Sequence, residues 1–176
     1  MNLVKIIEAE HSAAQRDRIV RYVGHDADRF RELVNVFLAG PYRVTQRASW
    51  PQSVCVQNHP HLMLPHLKTL LLQLQKPRQH NAVKRNIVRL LQFVDIPERL
   101  QGLTVQLCFN LLQDGREPVA IRVFAMTVLA NLAENLPELK NELIPFIEDQ
   151  LPYQSAGFVS RGRKLLAKWR RQPKSR

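Results

Sequence analysis

Residues 119–122 read Val119-Ala120-Ile121-Arg122, and the arginine that closes this stretch recurs along the chain at an almost constant interval. The four arginines of the series are 38, 37 and 39 residues apart, and a valine precedes each of them by two or three residues. The series consists of Arg47, Arg85, Arg122 and Arg161. A spacing of this size predicts a structural unit that is repeated along the chain.

Prolines form a second series that interleaves with the first. Pro60, Pro97 and Pro137 are 37 and 40 residues apart, so the two series share one period. Apolar residues after these prolines and arginines lie three and four positions apart, as in Leu100, Leu103, Leu107 and Leu111. That spacing is typical of one buried helix face, and no segment alternates with period two. Each unit is therefore predicted to be a pair of helices, without strands.

The same signals place the helix ends. Ser12 and Asp26 are predicted to cap helices, Ser12 as part of a capping box with Gln15. Pro51, Pro65 and Pro145 fall inside predicted helices, where each is expected to cause a kink or mark a boundary. The predicted helices cover residues 2–9, 12–23, 26–39, 43–57, 60–75, 79–94, 97–113, 117–134, 137–150 and 155–171.

The helix pairs resemble the HEAT and armadillo repeats. The start at Pro137-Glu138-Leu139 is similar to a HEAT first helix, and Ile121-Arg122 followed by Ala125 and Leu129 is similar to a second helix. The resemblance implies an all-α, right-handed α-α superhelix, a HEAT-like solenoid of about four helix pairs over 26–171. Within a single domain of 1–176, capping helices are expected in 1–25 and a disordered basic tail in 172–176.

One position departs from the family pattern. HEAT repeats commonly carry an aspartate about six residues before the second-helix arginine, and the two form a ladder through the stack. Here the corresponding residues are Pro41, Gln79, Arg116 and Ser155. The ladder acid is missing, so the arginines must either find other partners or remain available for binding.

Charge is distributed unevenly over the helix pairs. The chain has 26 basic and 15 acidic residues, a net charge of +11, and no acid at all in 43–57, 79–94, 118–133 or 155–171. The resemblance implies that these second helices line the concave side of the solenoid, which predicts a basic concave surface that attracts anionic partners. The candidate binding residues are Arg47, Trp50, Lys84, Arg85, Arg89, Arg122, Arg161, Lys164 and Lys168.

Two kinds of partner fit such a surface. The first is an acidic protein or peptide segment, held by a non-catalytic scaffold. The alternative is nucleic acid, because the stretch from Gln46 to Trp50 is similar to a concave helix of the HEAT-like DNA alkylation-repair glycosylases. That family uses a carboxylate beside the damaged nucleotide, and the predicted concave helices contain none. We therefore expect no catalytic residues, and leave enzymatic activity undecided.

Other classes of site find little support in the sequence. The histidines between His59 and His80 lack the spacing and companion ligands of a zinc site, and no glycine-rich phosphate loop occurs. We expect no metal and no cofactor. Cys55 and Cys108 are expected in the core as small apolar residues. No apolar run is long enough for a membrane span and no secretory signal is evident, so we expect a cytoplasmic protein without membrane contact.

Overall fold

A computed structural model describes residues 1–171 of the chain. These residues form ten α-helices and two short 3₁₀ segments, and no strand occurs among them. The helices are α1 (Leu3–Ala9), α2 (Ala13–Val23), α3 (Ala27–Ala39), α4 (Tyr42–Asn58), α5 (Leu67–Leu74), α6 (Asn81–Leu91), α7 (Glu98–Gln113), α8 (Val119–Leu132), α9 (Leu139–Gln150) and α10 (Ala156–Arg171). The all-helical prediction is confirmed. The predicted basic tail, 172–176, lies outside the described residues.

Two predicted helices differ most from the structure. The segment 60–75 is a 3₁₀ turn over Pro60–His66 that leads into α5, because Pro65 cannot donate the main-chain hydrogen bond of an α-helix. The predicted helix 79–94 is shorter at both ends, since α6 covers only Asn81–Leu91. Pro51 and Pro145 lie inside α4 and α9, as predicted.

Side-chain caps fix the start of the early helices. The Ser12 hydroxyl accepts a hydrogen bond from the Gln15 N–H at 3.1 Å, which is one half of the predicted capping box. The Gln15 side chain instead donates to the main-chain carbonyls of Ile6 and Glu10. The Asp26 carboxylate accepts hydrogen bonds from the main-chain N–H groups of Asp28 and Arg29, at 2.9 and 3.0 Å. Its predicted role as a helix cap is therefore confirmed.

The structure divides into two compact units, and the first covers residues 1–100. In this unit α4 packs against α1, α2, α3 and α6, so it lies at the centre. Helices α1 and α2, predicted as a cap, each contact both α3 and α4. Their apolar faces join a core that includes Phe30, Phe37 and Met63, all fully buried.

The second unit covers the chain from residue 101, and α8 packs there against both α9 and α10. Phe158, Leu166 and Trp169 are buried and form the inner face of α10. Gly162 allows the close approach of α10, because a Cβ at that position would lie 2.8 Å from the side chain of Ile147. A larger residue would have to push the two helices apart.

Both cysteines are buried, Cys55 in unit 1 and Cys108 in unit 2, as predicted. Burial raises the pKa of each thiol to about 12. Burial and a raised pKa both disfavour the thiolate, so neither cysteine has the environment of a reactive thiol. Across residues 1–171, no helix combines the length and apolar character that crossing a membrane requires.

Candidate binding site

An open groove lies between α4 and α6 in unit 1. It has a volume of about 460 Å³, which is within the roughly 300–1,000 Å³ of ordinary ligand pockets. Its lining is polar and basic, with four arginines and no carboxylate. The lining residues are His11, Arg43, Gln46, Arg47, Ser49, Trp50, Arg85, Asn86 and Arg89.

Helical periodicity explains how these residues meet. Arg43, Arg47 and Trp50 are separated by four and three residues, so they share one face of α4. On α6, Arg85 and Arg89 are one turn apart and face the same groove. The packing of α4 on α6 brings the two faces together. The four candidate residues that the structure brings together are therefore Arg47, Trp50, Arg85 and Arg89.

The guanidinium groups of Arg43, Arg85 and Arg89 have no hydrogen-bond or ion-pair partner in the part of the chain that the structure describes. Three other arginines of unit 1, Arg16, Arg29 and Arg31, are paired with aspartates, Arg16 with Asp17 at 2.7 Å. Uncompensated charges in one groove raise its positive potential and draw anions to it. Four of the basic residues of the acid-free helices line this groove.

Arg47 has a second role besides lining the groove. Its Nη1 donates to the main-chain carbonyls of Ile7 at 3.1 Å and Glu8 at 2.8 Å. These carbonyls belong to the last turn of α1, where helical partners run out and the helix dipole favours positive charge. Arg47 therefore fixes the end of α1 to the groove wall.

Trp50 is half-buried at the edge of the groove. The His11 ring meets its indole edge-on, with ring centroids 5.3 Å apart, and the Arg16 guanidinium lies 4.6 Å from the ring centroid. A cation over an aromatic face is attracted by the ring's negative charge density. Part of the indole is therefore already covered by the protein's own side chains.

Asn86 forms part of the groove wall and is only 3% exposed. Its Nδ2 has no hydrogen-bond partner among the described residues. A buried donor left unpaired costs free energy, so it favours any ligand that supplies an acceptor. Ser49, by contrast, is already bonded, because its hydroxyl donates to the Gln46 carbonyl at 2.6 Å.

The other candidate residues lie elsewhere. Lys84 is half-buried on α6 but does not line the groove. On α10 in unit 2, Arg161 is half-buried and Lys164 is exposed. Lys168 forms an ion pair with Glu134 at 2.9 Å. These residues are not part of the site between α4 and α6.

Arg122 requires a correction, because it is not exposed to a partner. It is only 4% exposed, its Nε donates to the Leu112 carbonyl at 2.9 Å, and its Nη1 donates to Gln154 Oε1 at 2.7 Å. The guanidinium also lies 5.0 Å from the centroid of the Phe158 ring. Burial lowers the pKa of Arg122 below its ordinary value. A carbonyl at the end of α7 takes the place of the missing ladder acid, so Arg122 is a structural residue of unit 2.

Five lining residues of the groove were not among the candidates predicted from the sequence. Arg43 and Gln46 share the α4 face of Arg47, and Asn86 is three residues before Arg89, so helical spacing from the candidate arginines would have found them. His11 belongs to the link between α1 and α2, and no local signal connects it with α4. Ser49 is the remaining lining residue, and its hydroxyl faces its own helix.

Three histidines of unit 1, His25, His59 and His61, are neighbours. His59 lies 6.3 Å from His25 and 6.0 Å from His61, measured between ring centroids. Within residues 1–171, no group of three histidine, cysteine, aspartate or glutamate side chains is arranged to hold a metal ion. The groove lining likewise contains neither a thiol nor a carboxylate.

Comparison with known proteins agrees with the helix pairs described above. A family model for the HEAT repeat domain matches residues 4–168, which include every helix pair. The match begins in α1 and therefore includes the two helices predicted as a cap. Neither a curated protein nor a solved structure matches the chain.

Proposed function

The chain belongs to the HEAT repeat family, and we propose that it is a non-catalytic scaffold whose groove binds an acidic segment of a protein partner. HEAT repeats are α-solenoids that generally mediate protein interactions through the extended surfaces of their stacked helices. The proposal assigns the contact to the groove between α4 and α6.

One observation carries the proposal. Arg43, Arg85 and Arg89 point into the same groove without a partner of their own. A guanidinium presents a flat set of donors that matches the two oxygens of a carboxylate. Aspartate and glutamate side chains of a partner would pair with these groups and relieve their mutual repulsion.

The lining of the groove suits the binding of a partner rather than catalysis. Its lining supplies hydrogen-bond donors and positive charge, but neither a carboxylate to act as general base nor a thiol nucleophile. A glycosylase of the kind that the sequence resembles would need such a carboxylate. This lack supports a scaffold over an enzyme.

Charge reversal in the groove tests the proposal. A fluorescein-labelled oligoglutamate peptide is titrated with the native protein and with the Arg85→Glu/Arg89→Glu variant at about 50 mM salt, and anisotropy reports binding. We expect the variant to bind at least about tenfold more weakly, because two attractive contacts become repulsive.

A matched control separates the groove from net charge. Lys68→Glu/Arg99→Glu makes the same charge change at two exposed residues of unit 1 that do not line the groove. It should bind the peptide as the native protein does. Equal loss of binding in both variants, with unchanged melting temperatures, would assign the effect to net charge and contradict the proposal.

Nucleic acid is the second candidate partner, and Trp50 favours it. A half-buried tryptophan beside arginines can stack on a base while the cations contact phosphates. Duplex and single-stranded DNA should then be retarded in a gel at about 50 mM salt, with a log–log salt slope of about −0.9 for each phosphate contacted on a duplex. The absence of retardation for both would remove this candidate.

A further inference from the structure

We infer that the groove between α4 and α6 accepts a phosphorylated side chain of the partner segment, with the phosphate bound by Arg43, Arg85, Arg89 and the amide of Asn86. The inference rests on the proposed function, since it names the group that the acidic segment inserts. It concerns a serine or threonine phosphate carried by a protein.

Charge balance is the first argument. The groove holds three guanidinium groups without partners and a fourth, on Arg47, that is bonded to the end of α1. Arg85 and Arg89 are one helical turn apart, where like charges repel. A single carboxylate supplies one negative charge, whereas a phosphate monoester carries about −1.5 to −2 near neutral pH. The dianion compensates this groove more completely.

Hydrogen-bond capacity is the second argument. Each arginine offers up to five N–H donors, and the buried Nδ2 of Asn86 adds a neutral donor that has no partner within residues 1–171. A carboxylate has two oxygens to share among them. A phosphate monoester has three terminal oxygens, so it can accept from both walls of the groove and from Asn86 together.

The surroundings favour one phosphate over a nucleic-acid backbone. Arg16, at the rim near Trp50, pairs with Asp17 at 2.7 Å, and Arg47 donates to main-chain carbonyls. The side-chain donors without a partner, on Arg43, Arg85, Arg89 and Asn86, therefore all lie in one groove of about 460 Å³. Nucleic-acid binding draws on contacts to many successive phosphates, while a phosphorylated side chain needs one such position.

Three peptides with the same flanking glutamates test the inference, with serine, glutamate or phosphoserine at the central position. Anisotropy titrations with the native protein should show the phosphoserine peptide binding roughly tenfold more tightly than the glutamate peptide, since it gains charge-assisted hydrogen bonds. Inorganic phosphate should compete with it. Equal affinity for the glutamate and phosphoserine peptides would overturn the inference and leave the proposed function standing.

Variants of Asn86 test the assigned donor. Asn86→Leu removes the amide at similar size, and Asn86→Asp puts a negative charge at the same position. Both should reduce the preference for phosphoserine, and the aspartate variant should abolish it. Asn81→Asp is the matched control, because Asn81 is exposed on the same helix and does not line the groove.

Folding and the nucleic-acid alternative are controlled separately. Circular dichroism melts identify an unfolded Asn86 variant, in which case Arg43→Gln, on α4, replaces it and should also reduce the phosphoserine preference. A folded Asn86→Leu variant that keeps the full preference would overturn the assignment. Duplex DNA that displaces the phosphoserine peptide at equal phosphate concentration would also overturn it. If no peptide binds at all, the proposed function fails together with this inference.

Discussion

Arg85 in unit 1 and Arg122 in unit 2 occupy the same place in the repeat but have opposite environments. Arg122 is buried and bonds to Leu112 and Gln154. Arg85 is half-buried, lines an open groove and has no partner among the described residues. The repeat determines where along a helix each arginine lies. The residues that neighbour the arginine from other helices determine whether it stabilises the stack or faces a ligand.

Arg47 lies between these extremes, and it shows what decides the difference. It lines the groove as Arg85 does, but it also reaches carbonyls at the end of a helix as Arg122 does. Where the end of a first helix comes within reach, its unpaired carbonyls bind the arginine. Arg85 makes no such contact, so its charge remains available.

The largest expected effect is at Arg122. Arg122→Ala removes two buried hydrogen bonds and leaves the Leu112 carbonyl without its side-chain donor, so we expect a loss of about 3 kcal/mol in the free energy of unfolding. Chemical denaturation measures it. Arg161→Ala is the matched control, since it belongs to the same arginine series and has no partner within residues 1–171. Similar losses in both variants would contradict the comparison.

An intermediate effect is expected at Arg47. Arg47→Ala removes two donations to the end of α1, at a half-buried position, and should cost about 1 kcal/mol. Thermal melts compare it with Arg43→Ala, one turn earlier on α4, where no partner is lost and the change should stay within about 0.5 kcal/mol. A larger loss for Arg43→Ala would mean that the groove arginines are structural.

The smallest effect is expected at Arg85 and Arg89, and it has the opposite sign. Replacing both by glutamine removes like-charge repulsion on one helix face, so stability should rise by up to about 0.5 kcal/mol at low salt. The gain should disappear near 1 M salt, where screening acts over only about 3 Å. Denaturation at both salt concentrations measures this. A salt-independent loss would show that these arginines have partners after all.

The repeat made most of the helical structure predictable. The spacing of apolar residues and the capping residues predict where each helix lies. The largest differences are at Pro65, which interrupts a predicted helix, and in α6, which is shorter than its apolar stripe. Spacing along one helix also predicts which residues of α4 share a face. It says nothing of His11, because that contact depends on how α1 and α2 pack against α4.

The spacing of the arginines along the chain could not predict which of them are buried and paired and which are open to a ligand. The missing aspartates left two outcomes open for the repeat arginines, other partners or availability for binding, and Arg122 has found other partners. A search for acidic side chains does not find main-chain carbonyls as partners. Every residue has such a carbonyl, so the sequence does not show which one an arginine will bind. Whether a helix end lies beside an arginine is a property of the packed structure.

The partners of Arg122 also bear on how the fold tolerates acid. The Leu112 carbonyl, the Gln154 amide oxygen and the Phe158 ring bind no proton over the ordinary pH range. A repeat held by aspartate–arginine pairs loses those pairs as the carboxylates take up protons, below about pH 4. The hydrogen bonds of Arg122 should therefore persist on acidification, whereas its electrostatic attraction to Asp114 should weaken as that carboxylate takes up a proton.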